Sequence, residues 1–134
     1  MNLHEYQAKE LFEEYNLPVS KRALISEKDQ IKTALDSIRF SSGCVAKVQA
    51  HTGGRGKVGG VKLCKTIGDV ENFVDQWLGK RIKTIQTDET GLPVNIISVE
   101  ELTDIDKELY LSLVVDRGAK CILLECISTE TARE

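Results

Sequence analysis

Lys47 to Val61 reads KVQAHTGGRGKVGGV, with five glycines (53, 54, 56, 59 and 60) inside eight residues. Glycine takes positive φ readily and lets backbone N–H groups approach a ligand without interference from a Cβ. Such a loop suits the cradling of phosphates, and Arg55 and Lys57 add positive charge where phosphate oxygens would lie. The same composition also describes a flexible surface loop carrying solvated basic residues. Extended-looking text flanks it on both sides, CVAKVQ at 44–49 and VKLC at 61–64. Strand, glycine loop and strand together predict a β-hairpin flap.

Three phosphate motifs can be tested against this loop. A P-loop needs GxxxxGK[ST], but Gly56-Lys57 is followed by Val58, so it fails. The dinucleotide fingerprint GxGxxG is matched formally by Gly54 to Gly59. It requires a helix next, and an extended VKLC removes the helix dipole on which that motif depends. Through Val61 the text also fits GxGxxGxV, the glycine loop of protein kinases, yet no HRD or DFG follows. What survives is mechanical: a hairpin flap laid over nucleotide phosphates.

Lys47 interrupts the strand just before the flap. Alternation places Val45, Lys47 and Gln49 on one face and Cys44, Ala46 and Val48 on the other. Its ammonium can point at phosphates, or it can be an edge lysine that discourages aggregation. Glu100, Glu101 and Glu108 form a second constellation at and beyond a strand end. A carboxylate there suits a base amino group or ribose hydroxyls, and equally suits an exposed polar connection.

Helix and strand signals alternate through the first part of the chain. Asn2 with Glu5 reads as a capping pair, followed by Leu3, Ala8, Leu11, Phe12 and Tyr15 at helical spacing until Leu17-Pro18. Residues 19–25 read as extended. Ser26 with Asp29 caps a second helix whose stripe is Ile31, Ala34, Leu35 and Ile38. Thr66 and Asp69 open a third, with Val70, Phe73, Val74, Trp77 and Leu78 facing a core and Gly79 at its end. Beyond Lys80 the text turns to strands at 82–86, 94–100, 108–116 and 120–127. TDETGLP joins the first two and DRGA makes a hairpin of the last two. The polar connection 101–107 reads as a hinge. The expected class is α+β (α/β with a mixed sheet).

Composition removes other classes. The 134 residues suffice for one real core, and 41% hydrophobic with 29% charged residues excludes a disordered tail. A formal charge of −3 and only three Phe, three Tyr and one Trp argue against a nucleic-acid module. No apolar stretch approaches a membrane span, and the acidic N-terminus is not a signal peptide. Cys44, Cys64, Cys121 and Cys126 sit in or beside apolar runs without a CxxC, which suggests free thiols in a reducing compartment, the cytoplasm. With only His4 and His51 available, a structural zinc site is not expected, and both histidines read as structural or solvated.

MNLHEYQAKELF, HTGGRGKVGGVK, WLGKRIKTIQTDETGLPVN and VEELTDIDKELYLSLVVDR, occurring in this order, resemble the β subunit of succinate–CoA ligase (succinyl-CoA synthetase) over about residues 1–128. The resemblance implies an ATP-grasp fold, here its N-terminal part only. Residues 1–100 would be the first subdomain with its flap, and 101–134 the hinge and start of the second. It further implies that Lys47 contacts nucleotide phosphates and that Gly54, Arg55 and Gly56 belong to the flap. Glu100 and the backbone at Leu102 and Thr103 would meet the base, and Glu108 the ribose. The implied nucleotide is ATP or GTP.

The implied reaction, a step of the tricarboxylic acid cycle, forms succinyl-CoA reversibly at the expense of a nucleoside triphosphate. Its partner is an α subunit that binds CoA and carries a phosphorylated histidine, so neither His4 nor His51 is expected to take the phosphoryl group. The compartment would be the mitochondrial matrix in a eukaryote. Ser128 to Glu134 (STETARE) departs from the glycine pair and acidic stretch of the family, and the resemblance implies that the Mg2+-binding Asn and Asp lie beyond residue 134. The chain therefore reads as part of a longer subunit, inactive alone. A related enzyme such as malate–CoA ligase, or a non-catalytic interaction domain, is the alternative.

Overall fold

The computed structural model describes residues 2–128, which fall into two units divided between Leu102 and Thr103. The departure at residues 129–134 lies outside the described residues. In the first unit the order is α1 (Glu5–Glu14), β1 (Arg22–Ile25), α2 (Ile31–Ser37), β2 (Cys44–Gln49), β3 (Val61–Cys64), α3 (Ile67–Trp77), β4 (Arg81–Ile82), β5 (Leu92–Pro93) and β6 (Ile96–Glu101). The main sheet runs β1-β6-β2-β3, and β4 pairs with β5 beside it. Every strand pair described is antiparallel, which keeps the α+β class and replaces the expected mixed sheet with antiparallel ones.

Alternation along the strands separates two faces. Cys44, Ala46, Val48, Ile97, Val99 and Ile25 are fully buried on one of them. There they pack with Ile31, Ala34 and Leu35 of α2 and Val70, Phe73 and Val74 of α3. Both apolar helix stripes anticipated for this core are therefore in it. The hydroxyl of Thr66 accepts from the Asp69 N–H and the Asp69 carboxylate accepts from the Thr66 N–H, the expected capping box of α3.

The opposite sheet face carries Lys47, Gln49, Ser98 and Glu100, and here α1 departs from expectation. None of its residues is buried, and Leu3, Leu11, Phe12 and Tyr15 remain 40%, 41%, 48% and 77% exposed. The N-cap is His4, not Asn2: the Gln7 Oε1 accepts from the His4 N–H at 2.9 Å. Glu5 cannot serve as the capping acid because its carboxylate is engaged by cations. A similar shift precedes α2, where a 3₁₀ turn at Lys28–Gln30 intervenes. Gln30, rather than Asp29, closes that start, its Oε1 accepting from the N–H groups of Ser26 (2.9 Å) and Glu27 (3.2 Å).

The strand expected at 82–86 stops at Ile82. Thr84 and Thr87 explain the break. The Thr87 hydroxyl accepts from the Thr84 N–H and donates to the Thr84 carbonyl, both at 3.1 Å, so side chains take the groups a ladder would use. The second unit is a hairpin of β7 (Leu109–Asp116) and β8 (Cys121–Ser128). Asp116 Oδ1 accepts from the N–H groups of Gly118 (2.8 Å) and Ala119 (2.9 Å), which fixes the DRGA turn. No described helix is long and apolar enough to cross a membrane.

Candidate functional site

The glycine segment connects β2 and β3, whose register pairs Lys47 with Val61 and Cys44 with Cys64. The loop has internal order: Arg55–Val58 form a 3₁₀ turn, flanked by Gly54 at φ +71° and Gly59 at φ +80°. These left-handed positions favour glycine. Gly60 is favoured for a different reason, since a Cβ there would press on the buried Ile82 Cδ1 at 2.6 Å and on the Arg55 carbonyl oxygen at 3.0 Å. At Gly54 and Gly56 a Cβ would meet nothing within 4 Å, so the loop's outer edge is open to a ligand. Neighbouring elements hold its base: the Gly53 N–H donates to Gln86 Oε1 (2.7 Å), and Trp77 Nε1 donates to the Gly59 carbonyl (3.1 Å).

Lys47 and Arg55 converge on one carboxylate. Glu5 Oε1 accepts from Lys47 Nζ at 2.9 Å, and Glu5 Oε2 accepts from an Arg55 guanidinium nitrogen at 2.7 Å. Glu100 lies on the other side of Lys47, its Oε2 accepting at 2.8 Å. β6 places it there, because Lys47 is registered opposite Ser98 and Glu100 is the diagonal neighbour on the same face. Lys9, one turn along α1 from Glu5, donates to both oxygens of Glu100 (2.8 and 2.7 Å) and to Glu5 Oε1 (2.9 Å). Ser98 Oγ donates to Glu100 Oε1 at 3.0 Å.

Burial sharpens the electrostatics. Glu100 is only 4% exposed, and burial opposes its charge, yet Lys47 and Lys9 hold it below the ordinary carboxylate range. Burial likewise pushes the Glu5 carboxyl up, but bonds from Lys47 and Lys9, the Lys47 charge and the Arg55 bond prevail and bring it to about 2. Lys47 is raised for the reciprocal reason: Glu100 and Glu5 overcome the burial that disfavours an ammonium. Three cations (Lys9, Lys47 and Arg55) face two carboxylates, leaving one net positive charge. A cavity of about 410 Å³ opens beside Glu5 and Arg55 and is also bordered by His51, Thr52, Gly53 and Gln86, a size suited to a small-molecule ligand.

Of the anticipated site residues, the structure thus joins Lys47, Arg55 and Glu100 and places Gly54 and Gly56 on the same loop. Glu101 is a structural tie: its carboxylate accepts from the Arg39 N–H (2.7 Å) and its N–H donates to the Lys21 carbonyl (2.9 Å). Leu102 follows β6 at the end of the first unit, and Thr103 and Glu108 belong to the second. His4 and His51 stack with ring centroids 3.8 Å apart. Burial, then His51 and Arg55, push the His4 imidazole below its ordinary pKa. Sequence reasoning missed Glu5, Lys9 and Gln49, whose Oε1 accepts from the Tyr6 N–H at 3.3 Å. The i,i+4 spacing of Glu5 and Lys9 was the available signal.

Among the described residues no group of three or more His, Cys, Asp or Glu side chains could hold a metal ion. Both carboxylates of the cluster already face cations. These residues do not fit a Mg2+ ion.

The sequence profile of the ATP-grasp domain matches residues 2–131. The chain belongs to the ATP-grasp family. Among similar proteins of this ATP-grasp chain are the succinate–CoA ligase [ADP-forming] β subunits of Pseudomonas aeruginosa (strain UCBPP-PA14), 54% identical, and Haemophilus influenzae (strain PittEE), 50% identical. Each match covers 123 residues, 92% of this chain and 31% of the relative. The chain therefore spans about a third of the length of those relatives.

Solved structures agree on the fold. The dinucleotide forming acetyl-coenzyme A synthetase 1 of Ca. Korarchaeum cryptofilum, in complex with coenzyme A, Ca-AMPCP and HgCl+, matches with a TM-score of 0.70 at 19% identity. That match covers 99% of this chain and 58% of that one. ATP citrate lyase from Methanothrix soehngenii, in complex with citrate and coenzyme A, matches with a TM-score of 0.62 at 16% identity, covering 96% and 35%.

Proposed function

We propose that this ATP-grasp chain is the nucleotide-binding part of a β subunit of succinate–CoA ligase, ADP-forming as in its relatives, and that its nucleotide is ATP. The observation that carries this reading is the convergence of Lys47 and Arg55 beside an open glycine loop, in a chain 54% identical to such a subunit. Lys47 and Arg55 bind phosphoryl oxygens, and the Gly54–Gly56 backbone closes over them. Glu100 orients Lys47 and is corrected as a base contact, because Lys9, Lys47 and Ser98 occupy both of its buried oxygens; the backbone at Leu102 and Thr103 is assigned to the base and Glu108 to the ribose. The functional subdomain division belongs to the same proposal, between residues 100 and 101, two residues before the boundary between the two compact units.

In the larger protein the reaction is reversible formation of succinyl-CoA from succinate and CoA. A partner α subunit carries the phosphorylated histidine and binds CoA. The chain's own contribution is to bind and orient the triphosphate and to exclude water from its transferring end. Any Mg2+ that accompanies the nucleotide would supply neutralisation of phosphate charge, held by ligands other than Glu5 and Glu100. A cytoplasmic location accompanies this reading.

Calorimetric titration of the whole protein with ATP tests it. Removing one charged hydrogen-bond donor from phosphate costs about 1.5–3 kcal/mol, or roughly 10- to 100-fold in affinity. Arg55→Ala and Lys47→Ala are expected to fall in that range, and ligase activity with succinate and CoA is expected to fall with them. Unchanged ATP affinity in both variants would contradict the assignment.

A further inference from the structure

Glu5 occupies an unusual position within the cation pair. Its two oxygens divide between Lys47 and Arg55, the bridging arrangement that two cations adopt on a phosphoryl group. It also borders the 410 Å³ cavity together with Arg55, whereas Lys47 is not among the residues that line that cavity. Glu5 thus touches both the open space and the lysine. We propose that Glu5 is a displaceable stand-in for a nucleotide phosphate: its carboxylate holds Lys47 and Arg55 in the nucleotide-free protein, and binding transfers both cations to phosphoryl oxygens.

The contacts of the cluster support an exchange. Lys47 keeps Glu100, buried and fixed by Ser98, when Glu5 leaves. Arg55 keeps its bond to the Val48 carbonyl at 2.5 Å, so its guanidinium stays aimed while one end changes partner. Glu5 keeps Lys9, one turn away on the same helix, as a counter-ion. Each charged group therefore retains a partner on both sides of the exchange, which limits the desolvation cost of breaking the bridge. The exchange also prevents the two cations from facing each other uncompensated before nucleotide arrives. Withdrawal of Glu5 frees the faces of Lys47 and Arg55 that it now occupies, which couples nucleotide entry to a movement at the start of α1.

This inference rests on the nucleotide reading given above, and its test separates the two. ATP affinity of the whole protein is measured for the wild type, Glu5→Gln and Lys47→Ala. Glu5→Gln removes the competing charge and is expected to tighten ATP about five-fold, the order of a single surface-accessible ionic competitor. Lys47→Ala is expected to weaken it; if it does not, the nucleotide assignment itself fails. Equal or weaker binding by Glu5→Gln, alongside a weakened Lys47→Ala, overturns only the stand-in role. A second readout needs no substitution: the 13C resonance of the Glu5 carboxyl in wild-type protein is expected to shift on saturation with ATP. An unmoved resonance at saturation also overturns the exchange.

Discussion

α1 and α3 lie against the same sheet and are held to it by different forces. α3 buries Val70, Phe73 and Val74 on the apolar sheet face, where area removed from water supplies the adhesion. α1 buries no side chain fully and is fastened by charge: Glu5 and Lys9 reach the cluster, Glu13 takes a two-pronged bond from Arg22 of β1, and the Tyr6 N–H donates to the Gln49 side chain. The difference teaches what each helix can do. An apolar helix has no alternative partner of equal value in water, so it stays. A helix held by charge can be released by any ligand that offers the same charge in the same place, and phosphate is such a ligand.

The comparison breaks most severely at Phe73. Phe73→Ala removes a side chain only 1% exposed in the centre of the α3 contact, and about 3–5 kcal/mol of unfolding free energy is expected to go with it. Urea denaturation of the variant checks this. Next comes Glu100→Ala, which leaves Lys9, Lys47 and Arg55 sharing the single carboxylate of Glu5. Stripping one partner from a buried ionic network is expected to cost on the order of 2–4 kcal/mol. The same titration reads it, and added salt should recover more of the loss here than in Phe73→Ala.

Acid reads Glu5's share once wild type is set against Glu5→Gln, because Glu100, Asp69 and Asp88 are also held below the ordinary carboxylate range. Glu5 titrates at about 2 instead of 4.5, so its stabilisation is complete above pH 4.5 and is lost as pH falls toward 2. The loss is expected to be on the order of 2 kcal/mol after solvent screening. Unfolding free energies measured across that window should flatten by this amount in Glu5→Gln relative to wild type. The smallest effect belongs to Leu11→Ala and Phe12→Ala. These residues are 41% and 48% exposed, and thermal or urea unfolding should change by no more than about 0.5–1 kcal/mol.

What could be read in advance follows the same division. The stripes of α2 and α3, the β2–loop–β3 hairpin and the β7–β8 turn at DRGA were legible because periodicity and turn chemistry are local. Lys47, Arg55 and Glu100 were legible as candidates through strand alternation, the glycine loop and family resemblance. Their mutual contacts were not, because the antiparallel register between β2 and β6 spans about fifty residues. α1 misled for a physical reason: Leu11, Phe12 and Tyr15 have helical spacing, which reports amphipathicity without saying whether the apolar side is the one that docks. Glu5 looked like a capping acid, and only the three-dimensional meeting with Lys47 and Arg55 shows a stronger claim on its carboxylate. Residues 83–86 failed as a strand because threonine hydroxyls at 84 and 87 captured the backbone groups.

Amide hydrogen exchange of the whole protein, with and without saturating ATP, reads the two helices side by side. If the charges that hold α1 are those that receive phosphate, ATP will speed exchange in the first turns of α1 (Ala8 to Leu11) and leave α3 from Phe73 to Trp77 unchanged. Exchange in α1 that stays the same or slows while ATP is bound would contradict that shared role.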